Sequence, residues 1–209
     1  GIWMILMRFS LRGLGFVNTI VLARILVPED FGLIAMAALV VSLVQVFSDV
    51  GLNLSILRKA EVSAEQLNTA WTIKLILALI MSSAVLIAAP FAAEFFREPR
   101  VSEVLRIMAL VSLLAGLSNI GVVLFTKELE FHKAFYFSVA TKIIGVTVSI
   151  GLAIWLRNYW ALVAGLVFQQ FIGTLGSYLV HPFRPRITMA SYHDFKMDTV
   201  FFFLKNIAS

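Results

Sequence analysis

The chain has 209 residues, 60% of them hydrophobic and 14% charged, with a formal net charge of +5. A soluble domain carries about 25% charged residues. With a mean hydropathy of +0.94, this chain has too little polar surface to meet water all round, so its solvent is lipid. It has no cysteine, which excludes disulfides, thiolate metal sites and cysteine nucleophiles.

Six apolar runs reach spanning length, at about 3–26, 31–57, 68–91, 101–125, 134–155 and 159–180, and a seventh begins near 197. A span needs about 20 apolar residues. The first run carries Arg8 and Arg12 and no small-residue cleavage site, so it reads as a span and not as a cleavable signal. Both ends of the chain fall at or near apolar runs and read as the edges of a fragment. Pro28, Pro99, Pro182 and Pro185 fall between the runs and Pro90 at the end of the third, where a missing backbone donor does least harm. Backbone inside lipid must satisfy itself, which leaves helices or closed barrels. Barrel strands would alternate over about ten residues, and these runs do not. The expectation is an all-α membrane protein: a six-helix lobe over 1–180, a cytoplasmic loop over 181–196 and the start of a further helix over 197–209.

Basic residues set the orientation. With a cytoplasmic N-terminus the inner connections hold Arg58, Lys59, Lys127, Lys133, Arg184, Arg186 and Lys196, against Arg24, Arg97, Arg100 and Arg157 outside. The positive-inside rule then favours N-in. These bases lie between apolar runs, with no interleaved aromatic stretch for stacking bases, so they suit lipid headgroups or an anionic substrate and not nucleic acid. Trp71, Trp155, Tyr159 and Trp160 lie near span ends, as interfacial belts do. Glycines such as Gly13, Gly15, Gly116, Gly145 and Gly165 suit close helix packing.

Charges within spans cost a few kcal/mol on insertion scales and ask for a reason. At 1.5 Å per residue, Arg12 lies roughly 13 Å into the first run and Lys142 roughly 12 Å into the fifth. Arg8 and Lys74 lie about 9 Å from the inner ends of their runs, and Asp49 lies in the inner part of the second. Four cations against one carboxylate, with Arg8 and Arg12 on one helix face, suit a cationic cavity open to the cytoplasm, with Asp49 as a charge partner. Arg there can grip phosphate oxygens in pairs. Snorkelling of Arg8 and Lys74 to the inner surface, and structural pairing of Arg12 and Lys142, are the plainer alternatives. Enzyme signatures are missing: His132, His181 and His193 lack metal-ligand spacing, and no phosphate-binding glycine loop occurs. No catalytic residue, metal or cofactor is expected.

The stretch Leu22-Ala23-Arg24-Ile25-Leu26-Val27-Pro28-Glu29-Asp30-Phe31-Gly32 closely resembles the segment joining the first two helices of Wzx-type oligosaccharide-lipid flippases. These belong to the multidrug/oligosaccharidyl-lipid/polysaccharide superfamily. Phe47-Ser48-Asp49-Val50-Gly51-Leu52, Phe95-Phe96-Arg97-Glu98-Pro99, Asn158-Tyr159-Trp160-Ala161-Leu162-Val163 and His181-Pro182-Phe183-Arg184-Pro185-Arg186 look similar to later parts of the same family, in order. The resemblance implies the N-terminal lobe of a two-lobe, MATE-like exporter that moves a polyprenyl-pyrophosphate-linked glycan outward across the bacterial cytoplasmic membrane. Its partners would be that substrate, membrane lipids, the second lobe and other polysaccharide-assembly proteins. Arg8, Arg12, Lys74 and Lys142 would neutralise phosphate. In the motif, Pro28 would end the first helix, Gly32 would permit a tight turn, and Arg24 would pair with Glu29 or Asp30 beside Phe31 as a structural clasp. Two rivals are a drug or cation antiporter of the same superfamily and a membrane glycan polymerase or ligase. Scarce intramembrane acid weighs against the first, and short outer connections weigh against the second.

Overall fold

The computed structural model describes residues 2–46, 56–57 and 62–191, and every regular element among the described residues is helical. The elements are α1 (Ile2–Ala23), α2 (Pro28–Val46), α3 (Ala64–Phe96), α4 (Arg100–Leu117), α5 (Val122–Lys127), α6 (Phe131–Leu156) and α7 (Trp160–Val180). Asp49, His193 and the apolar segment from 197 lie outside the described residues. By length and composition, α1, α2, α3, α6 and α7 can each cross a membrane. The chain is an all-α, multi-pass membrane protein. Helix α4 has 18 residues, about 27 Å at 1.5 Å per residue, close to the roughly 30 Å hydrocarbon core. It bears Arg100, Glu103 and Arg106 in its first two turns.

The bundle is a chain of packed pairs: α1 on α6, α6 on α7, α7 on α4 and α4 on α3, with α2 lying against α4 and α3. Bonds from Lys74 to Ser118 and from Ser82 to Ala109 show α3 and α4 to be antiparallel. Helices α4 and α7 run parallel, joined by Tyr159 and Glu103 at one end and by Tyr178 and Leu117 at the other. Helix α1 runs parallel to α6, with Trp3 against Phe135 and Tyr136 at the start and Leu22 clustered with Ala153 at the finish. The largest core cluster joins Leu33 and Ala37 of α2 to Val85 and Ala89 of α3, Val104 and Leu105 of α4, and Val163 of α7.

Several boundaries differ from expectation. Helix α3 starts at Ala64, because Ser63 and Gln66 form a reciprocal capping box. It then continues through Pro90 to Phe96. Pro28 does not end the first helix: α1 stops at Ala23 and Pro28 opens α2, where its missing N–H is no loss. Gly32 lies inside α2 with open space around it, so it makes no tight turn. Trp71 is buried in the α3 core cluster, whereas Trp155 is 80% exposed and suits an interfacial belt.

The largest change is in the run 101–125, which is not one helix. It breaks after Leu117, with Ser118 extended and α5 starting at Val122. The buried Asn119 explains the break. Its N–H donates to Ser177 Oγ (2.9 Å), its Nδ2 to the Phe183 carbonyl (2.7 Å), and its Oδ1 accepts from Gly121 N–H (2.9 Å). Local and distant bonds of this kind compete with helix propagation.

After α7 the chain runs without regular structure along the start of α3. The backbone N–H groups of Arg186, Thr188 and Ser191 donate to Asn68 Oδ1, Thr72 Oγ1 and Thr69 Oγ1. This strap is anchored at His181, whose Nδ1 accepts from Phe183 N–H and whose ring lies on Phe125. Burial lowers the His181 pKa, helped by Lys133 and Arg184 and opposed by Glu128 and Glu130.

Two outcomes follow. A methyl on Gly116 would collide with Ala78 Cβ, so Gly116→Val should cost about 1–3 kcal/mol through overpacking, read as a lower thermal unfolding midpoint in detergent. His181 has a folded-state pKa below its unfolded value of about 6.5, so its contribution is full above that pH and is lost as pH falls through the folded value. Amides 183–191 should therefore exchange faster at pH 5.5 than at 7.5 after correction for intrinsic rates, and His181→Phe should remove that difference.

Candidate functional site

Polar residues inside the spans define the site. Lys142, half-buried in α6, lines a half-open cavity of about 150 Å³ bordered by α1, α2, α6 and α7. Its Nζ contacts Gln169 Oε1 of α7 at 3.4 Å, a weak hydrogen bond at best. No carboxylate among the described residues lies within ion-pair distance of it. Asn18 of α1 and Ser149 of α6 supply further polar wall, and Ile34, Val146, Leu162 and Leu166 supply apolar wall. Asn18 Oδ1 is buried without a hydrogen-bond partner.

Two glycines create the room. A methyl on Gly145 would stand 2.6 Å from Gln169 Cβ, and one on Gly165 would stand 2.6 Å from Ser149 Cβ. Only glycine lets α6 and α7 approach so closely. That approach brings Gln169 level with Lys142.

Arg8 and Arg12 lie on α1 with Gly15 and Thr19, at i, i+4, i+7 and i+11, which is one helical stripe. Arg8, Arg12 and Thr19 are exposed. Asn18, beside this stripe, carries it to the cavity wall. Since α1 and α6 run in parallel register, Arg12 stands at about the same height as the turn of α6 that holds Lys142.

Lys74 stands elsewhere. Its Nζ donates to Ser118 Oγ (2.6 Å) and to the Ser118 carbonyl (3.1 Å). An ammonium at the C-terminal end of α4 offsets the unpaired carbonyls and the negative end of the helix dipole there. Of the four cations, Lys142 lines the cavity, Arg8 and Arg12 are exposed on α1 and are not among its lining residues, and Lys74 bonds to Ser118 at the end of α4.

The motif between α1 and α2 is also rearranged. Arg24 is exposed, and among the described residues no ion pair joins it to Glu29 or Asp30. Asp30 is 4% exposed and its Oδ2 has no partner, while Phe31 packs beside Leu22 and Leu26. The ion pair at this end of the bundle is Glu98 with Arg100, at 2.8 Å, and its hydrogen bonds pull the Glu98 carboxyl down to about 2.

Asn18, Ser149 and Gln169 carry no ionisable group, so the charge pattern of the spans does not point to them. Their signal in the sequence was present but faint: amides and hydroxyls at mid-span positions, which serve equally often as links between helices.

The helices and their polar interior define a multi-pass membrane protein with a small charged cavity. The chain belongs to the polysaccharide biosynthesis protein family, whose sequence model matches residues 21–205. It is similar to the succinoglycan biosynthesis transport protein ExoT of Rhizobium meliloti (strain 1021), at 27% identity over 90% of this chain and 38% of that protein. It is also similar to the lipopolysaccharide biosynthesis protein WzxC of Escherichia coli (strain K12), at 25% identity over 82% of this chain and 34% of that protein. A further relative is an uncharacterized membrane protein in the cps region of Klebsiella pneumoniae, at 26% identity over 62% of this chain. The chain therefore spans well under half the length of these first two relatives. No solved structure matches it.

The stripe on α1 can be tested by cysteine labelling, since these 209 residues hold no cysteine and any elsewhere in the full-length protein can first be replaced by serine. Arg8→Cys and Thr19→Cys in the full-length protein should react with a membrane-impermeant thiol reagent from one side. Leu6→Cys and Val17→Cys, on the exposed apolar side of α1, should stay unlabelled at least tenfold longer (an order-of-magnitude expectation from exclusion of water by lipid).

Proposed function

We propose that this chain is one lobe of an exporter that carries a lipid-linked oligosaccharide from the inner to the outer leaflet of the bacterial cytoplasmic membrane. The observation that carries this reading is Lys142: an ammonium within the bundle, opening on a cavity, with one weak contact and no carboxylate among the described residues. Holding a charge there costs a few kcal/mol. A structural lysine would be expected to be bonded as Lys74 is, by two short contacts. Lys142 has its bonding capacity in reserve, which suits an anion that arrives and leaves.

The succinoglycan biosynthesis transport and lipopolysaccharide biosynthesis names of the relatives support a glycan on a lipid carrier as the cargo. A polyprenyl pyrophosphate has an apolar tail that can remain in the bilayer and a charged headgroup that cannot. Arg8 and Arg12 offer that headgroup paired donors, and Lys142 a point charge. The second lobe, following the connection over 181–196, would complete the pathway, and rocking of the two lobes would alternate access. The strap fixed along α3 by Asn68, Thr69 and Thr72 gives the start of that connection a firm anchor. The N-terminus and the strap lie on the cytoplasmic side in this reading, as the basic connections favour.

The test is the leaflet distribution of lipid-linked oligosaccharide in cells making the full-length protein at matched membrane abundance. Lys142→Ala and Arg12→Ala should each slow translocation about tenfold or more, the worth of one lost hydrogen bond to a charged group. Cytoplasmic-leaflet accumulation would be the sign. Wild-type rates in both variants would return these charges to a structural role.

A further inference from the structure

We propose that the cavity among α1, α2, α6 and α7 is a sugar subsite, holding the first monosaccharide next to the phosphate; this rests on the exporter reading above. The wall chemistry points there. Of the polar atoms around the cavity, Asn18 Oδ1 is a buried acceptor with no donor, and Gln169 Oε1 has only the 3.4 Å contact of Lys142. An acceptor left unpaired in a low-dielectric interior costs about 1–3 kcal/mol. A ligand that removes this cost must bring hydrogen-bond donors. Ionised phosphate oxygens bring none, whereas sugar hydroxyls both donate and accept, as does the Ser149 hydroxyl in the cavity wall.

Size and shape agree. Drug-sized ligands occupy about 300–1,000 Å³, so a cavity of about 150 Å³ takes one small group and not an oligosaccharide. Ile34, Leu162 and Leu166 line it beside the acceptors, which suits the mixed C–H and O–H surface of a pyranose. Lys142 is the single cation of the lining. It is placed to meet the phosphate to which the sugar is joined, and Arg12, exposed on α1, stands at about the same height along the bundle. The arrangement separates two tasks: Arg8, Arg12 and Lys142 meet negative charge, while Asn18, Gln169 and Ser149 read hydroxyls.

The experiment uses the full-length protein in lipid nanodiscs and two probes, polyprenyl diphosphate and polyprenyl diphosphate bearing one hexose. Wild type should bind the hexose-bearing probe more tightly. Asn18→Leu and Gln169→Leu should each weaken that probe about fivefold, the worth of one neutral hydrogen bond, and leave the bare diphosphate unchanged. Asn18→Ser, which keeps an oxygen and adds no bulk, serves where the leucine variant fails to accumulate, and should give a smaller loss in the same direction. Equal affinity of wild type for the two probes would overturn the subsite while leaving the exporter reading intact. So would variants that weaken both probes alike, since that marks a structural role for the amides. Failure of wild type to bind either probe would overturn both.

Discussion

Inside a bilayer no water is available for polar backbone, so each buried carbonyl, N–H and side-chain polar atom must find its partner in the protein. The architecture of this bundle follows from that constraint. Ser82 bonds across to the Ala109 carbonyl, Thr174 to Leu114 and Tyr178 to Leu117. Each is worth about 0.6 kcal/mol on average in membrane proteins, too little to hold helices together alone. Together they fix which face of α4 meets α3 and which meets α7; Gly116 lets α4 approach α3, and Gly145 and Gly165 let α6 approach α7.

The same accounting sets the functional features apart. Where α4 ends, Ser118 and Asn119 are fully engaged, and Lys74 serves that end with two contacts. Between α1 and α6 the accounts stay open: Asn18 Oδ1 has no donor and Lys142 has one long contact. Unsatisfied buried polar atoms carry a standing cost, as Asp30 Oδ2 and Trp71 Nε1 also do, and a ligand that relieves the cost gains affinity from it. What sets the cavity apart is that an unpaired acceptor and a weakly bonded ammonium line the same space.

Helix α1 has the position such a role requires. It packs along one side on α6 and exposes both the stripe of Arg8, Arg12 and Thr19 and the apolar residues Leu6, Val17 and Ile20. A helix with one packed side, one cationic stripe and one apolar face can border protein, an aqueous cavity and lipid at once. Helix α3, by contrast, is built into the core through Ala70, Val85 and Ala89 and carries the strap that leads away from α7.

Composition and run length alone established an all-α membrane protein, because a chain so apolar admits no other solvent, and the motif from Leu22 to Gly32 identified its family. The positions of Arg12 and Lys142 well inside long apolar helices were also legible, since the apolar runs mark those helices in the sequence. Direction was not. Whether Lys142 turns to a cavity or Lys74 to a helix end depends on which neighbour packs against each face, and apolar spans of nearly uniform hydrophobicity do not encode that locally. The break at Ser118 escaped the sequence for the same reason: Asn119 is held by Ser177 and Phe183, partners 58 and 64 residues away. Only the tertiary structure brings those groups together, because a polar atom in lipid takes whatever partner the packing supplies.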